Sequence, residues 1–146
     1  MFFKVVFSAA ILALCVNAAP VADPAKTFKF LVDDPTKGKY YLASKGAGTQ
    51  DVSKALTCEL TADVIKCGGK GFPAYSGDMT KLAPGATAST GWSIDADGGI
   101  HWSAAPSMKF SLGINGATDV WAETCPHHWQ THGTAKAVYD DATAAA

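Results

Sequence analysis

The sequence predicts an all-β domain, arranged as a small antiparallel β-sandwich or β-barrel, with a β-trefoil-like fold as the alternative. The chain shows no amphipathic helix pattern of convincing length. Instead, short apolar or alternating segments recur between turn residues, as is typical of sandwiches and barrels. These segments are TFKFLV, KYYLAS, the stretch from Cys58 to Cys67, GWSID, GIHWS, KFSLGI and DVWAET.

The N-terminal 19 residues predict a secretory signal peptide. Lys4 precedes an apolar run from Val5 to Val16, and small residues follow at the expected cleavage junction. This run is shorter than the ~20 residues that a membrane-spanning helix needs. We therefore expect a secreted, extracellular protein with a flexible leader at 20–26, one β-rich domain at 27–139 and a disordered tail at 140–146.

The charge balance argues against nucleic acid and anionic membranes as partners. Removal of the signal peptide takes away Lys4, one of 12 basic residues, and leaves 13 acidic ones, so the formal charge changes from −1 to −2. The chain contains no arginine, and its lysines are scattered among acids. Binding to phosphates usually requires a basic patch. The tail also lacks the hydrophobic stretch of a GPI signal, so we expect no membrane span and no GPI anchor.

The segment CELTADVIKC predicts a hairpin that turns at Ala62-Asp63. This register pairs Leu60 with Ile65, Glu59 with Lys66 and Cys58 with Cys67, which separates an apolar face from a polar one. The same register makes Cys58 and Cys67 a non-hydrogen-bonded pair. In such a pair the two Cα atoms approach to ~4.5 Å, which is within disulfide range. We therefore predict a Cys58–Cys67 disulfide, with Cys58–Cys125 as the alternative. The remaining thiol would be an intermolecular bridge or a buried free thiol.

The segment GWSIDADGGIHW predicts a second hairpin with a three-residue loop, Ala96-Asp97-Gly98. This loop pairs Ile94 with Ile100 and Trp92 with Trp102, and it puts a glycine in the left-handed position. A two-residue turn would mix the two faces of the hairpin. We expect both tryptophans to pack in the core or at an edge, and the aspartates around this turn to bind local backbone rather than to act as catalytic acids.

Cys125 and three histidines, His127, His128 and His132, lie within the stretch TCPHHWQTHG. The spacing of His128 and His132 is one that binds zinc on a helix. However, Trp129 occupies the position of the glutamate that serves as the base in zinc metallopeptidases. A structural zinc site would have more cysteine ligands. We therefore expect surface histidines, and we predict no catalytic residue, no cofactor and no metal site.

Two segments resemble known families of fungal wall proteins. GWSIDADGGIHW, together with DVWAETCP, resembles the C-terminal half of small secreted cell-wall proteins of the PhiA type. LTCELTADVIKCGGKG resembles a strand pair in the C-terminal domain of Pir-type yeast wall proteins. The Cys-Pro pair follows the DVWAE strand here, whereas it precedes the corresponding strand in PhiA-type proteins. The Gln-rich repeat through which Pir proteins are esterified to β-1,3-glucan is absent, since Gln50 and Gln130 are the only glutamines.

The resemblance covers about residues 55–126 and implies a non-enzymatic component of the fungal cell wall. Its partners would be wall polysaccharide or other wall proteins, with Cys125 as a candidate intermolecular thiol. The alternative function is a secreted carbohydrate-binding or effector-like protein. That function requires an exposed aromatic platform, for which the candidate glycan contacts are Tyr40, Tyr41, Trp121 and Trp129.

Overall fold

The computed structural model describes residues 26–104, 109–113, 118–123 and 133–140. These residues form twelve strands and two short 3-10 helical turns, Ser44–Gly46 and Val52–Lys54. The strands are β1 (Thr27–Asp34), β2 (Gly38–Leu42), β3 (Gly48–Thr49), β4 (Cys58–Thr61), β5 (Val64–Cys67), β6 (Lys70–Gly71), β7 (Met79–Lys81), β8 (Trp92–Ile94), β9 (Ile100–Trp102), β10 (Lys109–Leu112), β11 (Val120–Glu123) and β12 (Thr134–Tyr139).

The strands form three antiparallel sheets around one core. The largest sheet has the order β3-β2-β1-β4-β5-β6, and β12 pairs with the other edge of β1. A second sheet has the order β10-β11-β7, and β8 and β9 form the third. Single bridges from Gly99 to Lys136 and from Phe110 to Gly133 tie the two smaller sheets to β12. The predicted all-β class, a small antiparallel sandwich or barrel, is confirmed.

Aromatic rings fill the centre of this core. Phe30 is fully buried, and its ring makes edge contacts with Phe72, Trp92 and Phe110 at centroid distances of 5.8, 6.5 and 5.8 Å. Trp92 stacks on Trp102 at 4.4 Å. Both tryptophans are buried, as the sequence predicts. Because Phe30, Phe72 and Phe110 lie on different strands or loops, these contacts join the sheets to one another.

The first hairpin has the predicted register. Cys58 pairs with Cys67, Glu59 with Lys66 and Leu60 with Ile65. Cys58 and Cys67 are joined in a disulfide, so the sulfur of Cys58 is not available to Cys125. The turn also contacts the second hairpin, because the backbone N–H of Gly91 donates to the Asp63 carboxylate at 3.0 Å. The disulfide therefore closes a hairpin whose tip is attached to the rest of the core.

The second hairpin also has the predicted register and loop. Trp92 pairs with Trp102, and Ile94 pairs with Ile100. Gly98 has a φ of +85°, the left-handed conformation predicted for this position. The alternation of apolar and polar residues was sufficient to predict the register of this hairpin, because its two strands are close in the sequence and the loop between them is short.

Two features near the C-terminal end of the β-domain were not predicted from the sequence. Thr134–Tyr139 forms β12, which pairs with β1 over six residues although this segment was not among the predicted strands. Asp140 was placed in the disordered tail, but its carboxylate accepts a hydrogen bond from the Thr27 hydroxyl at 2.6 Å. The register of β12 explains this contact, since it brings the end of the domain beside its beginning.

Replacing Ala62 by glycine should stabilise the protein. Ala62 is exposed in the first hairpin turn and has a φ of +55°, a left-handed conformation that is unfavourable for a residue with a Cβ. Glycine removes this strain but gives the unfolded chain more freedom, so we expect a net gain of about 0.5 kcal/mol. Urea denaturation measures the change. The matched control is Ala55→Gly. Ala55 is extended, with a φ of −68°, so glycine relieves no strain there and only gives the unfolded chain more freedom, which should be destabilising.

Candidate functional site

Asp95 organises the loop of the second hairpin and holds a histidine beside it. One carboxylate oxygen accepts hydrogen bonds from the backbone N–H groups of Asp97 and Gly99, at 2.9 and 2.8 Å. The other lies 2.8 Å from Nε2 of His101. A Cβ on Gly99 would stand only 2.6 Å from this carboxylate, so the arrangement requires glycine at that position. Asp95 thus has the local backbone role that the sequence predicts, with the addition of His101.

The carboxylate of Asp95 is stabilised in its ionised form. The hydrogen bond with His101 is the main cause, and the N–H of Gly99 is the next; together they hold the pKa of Asp95 below its ordinary value of 3.8. The two side chains remain 45% and 62% exposed, for Asp95 and His101 respectively. Since the folded-state pKa is lowered, the stabilisation is present above the ordinary pKa and is lost as the pH falls through the lowered value.

Replacing His101 by alanine should raise the pKa of Asp95 towards 3.8, because it removes the hydrogen bond that lowers this pKa most. Carbon-detected NMR titration of the side-chain carboxylates measures the change. Asp51 is an internal control, since its pKa is lowered mainly by Ser53 and should not move in this variant. An unchanged Asp95 titration in the His101→Ala protein would show that the backbone N–H groups alone cause the shift.

The Asp95–His101 pair stands at the rim of a cleft of about 460 Å³. The cleft lies between the second hairpin, the start of β10 and the start of β12. Lys109, Lys136 and Asp97 bring further charge to its lining, and Ile100, Phe110 and Ala135 supply apolar groups. A volume of this size is within the range of small-molecule sites. The cleft therefore combines an apolar floor with charged groups that are able to orient a polar ligand.

The structure places the candidate glycan contacts at separate positions. Tyr40 and Tyr41 are adjacent in β2, so their side chains point to opposite faces of the sheet, and Tyr40 packs against the core. Trp121 lies on β11, in the second sheet, and is half-buried. At most one of the two tyrosines can therefore share a platform with Trp121. Trp129 lies outside the described residues.

The histidine cluster and Cys125 also lie outside the described residues. Within the part of the chain that the structure describes, no group of three or more His, Cys, Asp or Glu side chains is arranged to hold a metal ion. The helices in this part of the chain are too short to cross a membrane. The residues that carry the candidate site are therefore those of the cleft.

The chain was compared with known protein families, curated proteins and solved structures. No protein-family model, no curated protein and no solved structure matches the chain.

Sequence reasoning did not find the cleft. Lys109, Lys136 and Asp95 are far apart in the chain, and β12, which carries Lys136, was not among the predicted strands. The local signal was present only at one side, where Asp95 precedes the turn and His101 follows it. The other side depends on β10 and β12 meeting at the Phe110–Gly133 bridge, a long-range contact that no short motif encodes.

Proposed function

We propose that this chain is a small, non-enzymatic, secreted protein of the fungal cell wall or extracellular matrix. It acts as a stable β-domain that is retained by non-covalent contacts with wall polymers or by an intermolecular disulfide. This proposal joins the predicted signal peptide and the resemblance to fungal wall proteins with the properties of the folded domain.

The Cys58–Cys67 disulfide is the observation that carries the proposal. Both half-cystines are buried, at 1% exposure, and they lie in the main core. Structural disulfides form and persist in oxidising compartments such as the cell exterior, and they are rare in the cytosol. A bridge built into the core therefore supports export of this chain, in agreement with the apolar N-terminal segment.

The positions of the aromatic and acidic residues support a structural role. The Trp92–Trp102 pair is in the core, where it joins the second hairpin to Phe30 and Phe72. Asp34, Asp51 and Asp95 each accept hydrogen bonds from the backbone N–H groups of nearby turns. In these positions the tryptophans pack in the core and the aspartates stabilise turns. Both roles are consistent with a structural domain that must remain folded outside the cell.

Sequential extraction of washed cell walls tests the proposal. A tagged protein is expressed in a filamentous fungus, and the walls are treated with hot detergent, then reductant, then glucanase. Recovery in any wall fraction supports a wall component and identifies its linkage. A Cys125→Ser variant distinguishes the two modes of retention, because loss of the reductant-released fraction would identify Cys125 as the tether. Recovery of the wild-type protein only from the culture medium would contradict the proposal.

A further inference from the structure

The loop of the second hairpin is attached to β12 by backbone contacts. The N–H of Ala137 donates to the carbonyl of Gly98 at 2.8 Å, and Gly99 forms the neighbouring bridge with Lys136. Gly99 and Lys136 both line the cleft beside Asp95. The contact therefore joins two segments that are distant in the chain, and it forms part of the cleft wall.

Asp95 holds this loop in its observed shape. One oxygen of its carboxylate accepts the N–H groups of Asp97 and Gly99, at 2.9 and 2.8 Å. The backbone carbonyl of Asp95 accepts the N–H of Gly98 at 3.0 Å. Three consecutive N–H groups of the loop are thus directed at a single residue, and two of them depend on its side chain.

The peptide unit between Gly98 and Gly99 connects Asp95 to β12. The C=O of Gly98 and the N–H of Gly99 belong to one planar trans unit, so they point in opposite directions. The N–H is bonded to the Asp95 carboxylate, and the C=O is bonded to the N–H of Ala137. Because the residues on both sides of this unit are glycines, its rotation meets little steric resistance. The bond to Asp95 therefore keeps the carbonyl directed at Ala137.

The strength of this connection depends on the charge of Asp95. Hydrogen bonds to an ionised carboxylate are stronger than those to a neutral acid. His101 first, and then the N–H of Gly99, hold the pKa of Asp95 below 3.8, so these bonds are intact above that range and weaken as the pH falls through the lowered value. The Asp95 side chain is 45% exposed, so protons reach it from solvent.

We propose that the Gly98–Gly99 peptide unit is an acid-sensitive clasp between the second hairpin and β12. While Asp95 is ionised, the clasp is closed. Protonation of Asp95 weakens its hold on the N–H of Gly99, the peptide unit rotates, the bond to Ala137 opens, and the cleft widens on this side. The inference goes beyond the proposed function and is independent of it, because the purified domain is expected to show it.

The other charged groups around the cleft come from three elements. Asp97 and His101 belong to the second hairpin, Lys109 to β10 and Lys136 to β12. Lysine side chains remain cationic throughout the acid range, so their charge does not change there. Carboxylates and imidazoles gain protons on acidification, so the test must separate Asp95 from Asp97 and from His101.

The test is amide hydrogen exchange, followed by NMR between about pH 6 and about pH 2 and corrected for the intrinsic rate at each pH. The readout is the protection of the Ala137 amide relative to that of Leu56, whose N–H donates to Leu42 in another part of the fold. We expect this ratio to fall about fivefold as Asp95 is protonated, the effect typical of losing one net hydrogen bond.

The variants assign the effect to one carboxylate. Asp95→Asn should show the low ratio already at about pH 6, with no further fall in acid. His101→Ala should move the midpoint of the fall to higher pH, because it removes the main cause of the lowered pKa. Asp97→Asn is the matched control and should behave as the wild type, since the hydrogen bond of Asp97 to Asp95 comes from its N–H.

Three outcomes would overturn the proposal. A constant ratio in the wild type across this pH range would show that no clasp opens. A wild-type ratio in Asp95→Asn at about pH 6, or loss of the acid transition in Asp97→Asn, would assign the effect to another group. Parallel loss of protection at Ala137 and Leu56 would identify general acid unfolding instead of a local opening.

Discussion

Replacing Phe30 by alanine is expected to lower the free energy of unfolding by about 4 kcal/mol, the cost typical of removing a large aromatic side chain from a packed core. Phe30 is fully buried, and its ring contacts Phe72, Trp92 and Phe110, so its loss leaves a cavity where the sheets meet. Small domains have a total stability of about 5–15 kcal/mol. The variant should therefore be partly unfolded at moderate temperature.

Urea denaturation followed by tryptophan fluorescence measures this effect, because Trp92 lies against the Phe30 ring. Phe30→Leu keeps most of the volume and should cost about 1–2 kcal/mol. Tyr139→Ala is the control for the loss of a ring at the edge of the same core, since Tyr139 is 39% exposed and contacts only Phe28 among the aromatic pairs of the described residues. A loss similar to that of Tyr139→Ala in the Phe30→Ala protein would contradict the central position of this ring.

Replacing both Cys58 and Cys67 by alanine is expected to lower the free energy of unfolding by about 2–4 kcal/mol. The bridge joins residues nine apart in sequence and restricts the unfolded hairpin. Its removal also leaves less sulfur packed in the core, where both residues are buried. The double variant is more informative than a single one, because it leaves no unpaired thiol at this position to react with another cysteine.

The matched control is Glu59→Ala/Lys66→Ala, which removes the neighbouring cross-strand pair from the outer face of the same hairpin. This pair should contribute less than about 1 kcal/mol. Thermal unfolding of the two double variants and the wild type gives the comparison, and mass spectrometry of unreduced peptides identifies the bridge directly. Equal stability of the wild type and the Cys58→Ala/Cys67→Ala protein would contradict a structural role for the disulfide.

The two hairpins were predictable because their contacts are short in sequence. In each of them, alternation of apolar and polar residues leaves one register that keeps the faces separate, and the same register brings Cys58 to Cys67 and Trp92 to Trp102. Tyr40 and Tyr41 illustrate how the same rule limits a prediction. Neighbours on a strand point to opposite faces, so the two rings could not form one platform.

β12 is a strand that the residue pattern does not predict. Its inward residues are Ala135 and Ala137, whose small side chains give a weak apolar signal, and its outward face carries Lys136. What makes the segment a strand is the neighbouring β1, more than a hundred residues earlier in the chain, which supplies the hydrogen-bond partners. The same long-range pairing holds Asp140, which composition alone assigned to the tail.

The sequence by itself therefore determined the all-β class, the two hairpins and the burial of the paired tryptophans, because local alternation and turn chemistry decide each of these. It favoured the Cys58–Cys67 disulfide over Cys58–Cys125, and the structure decided between the two. Only the tertiary structure decided which strands meet β1, how the smaller sheets attach to β12, and that Asp95, Lys109 and Lys136 line one cleft. These features depend on contacts between distant segments, such as those of the buried Phe30 ring with Phe72, Trp92 and Phe110. A local pattern of residues does not indicate which distant segment will pack or pair with it.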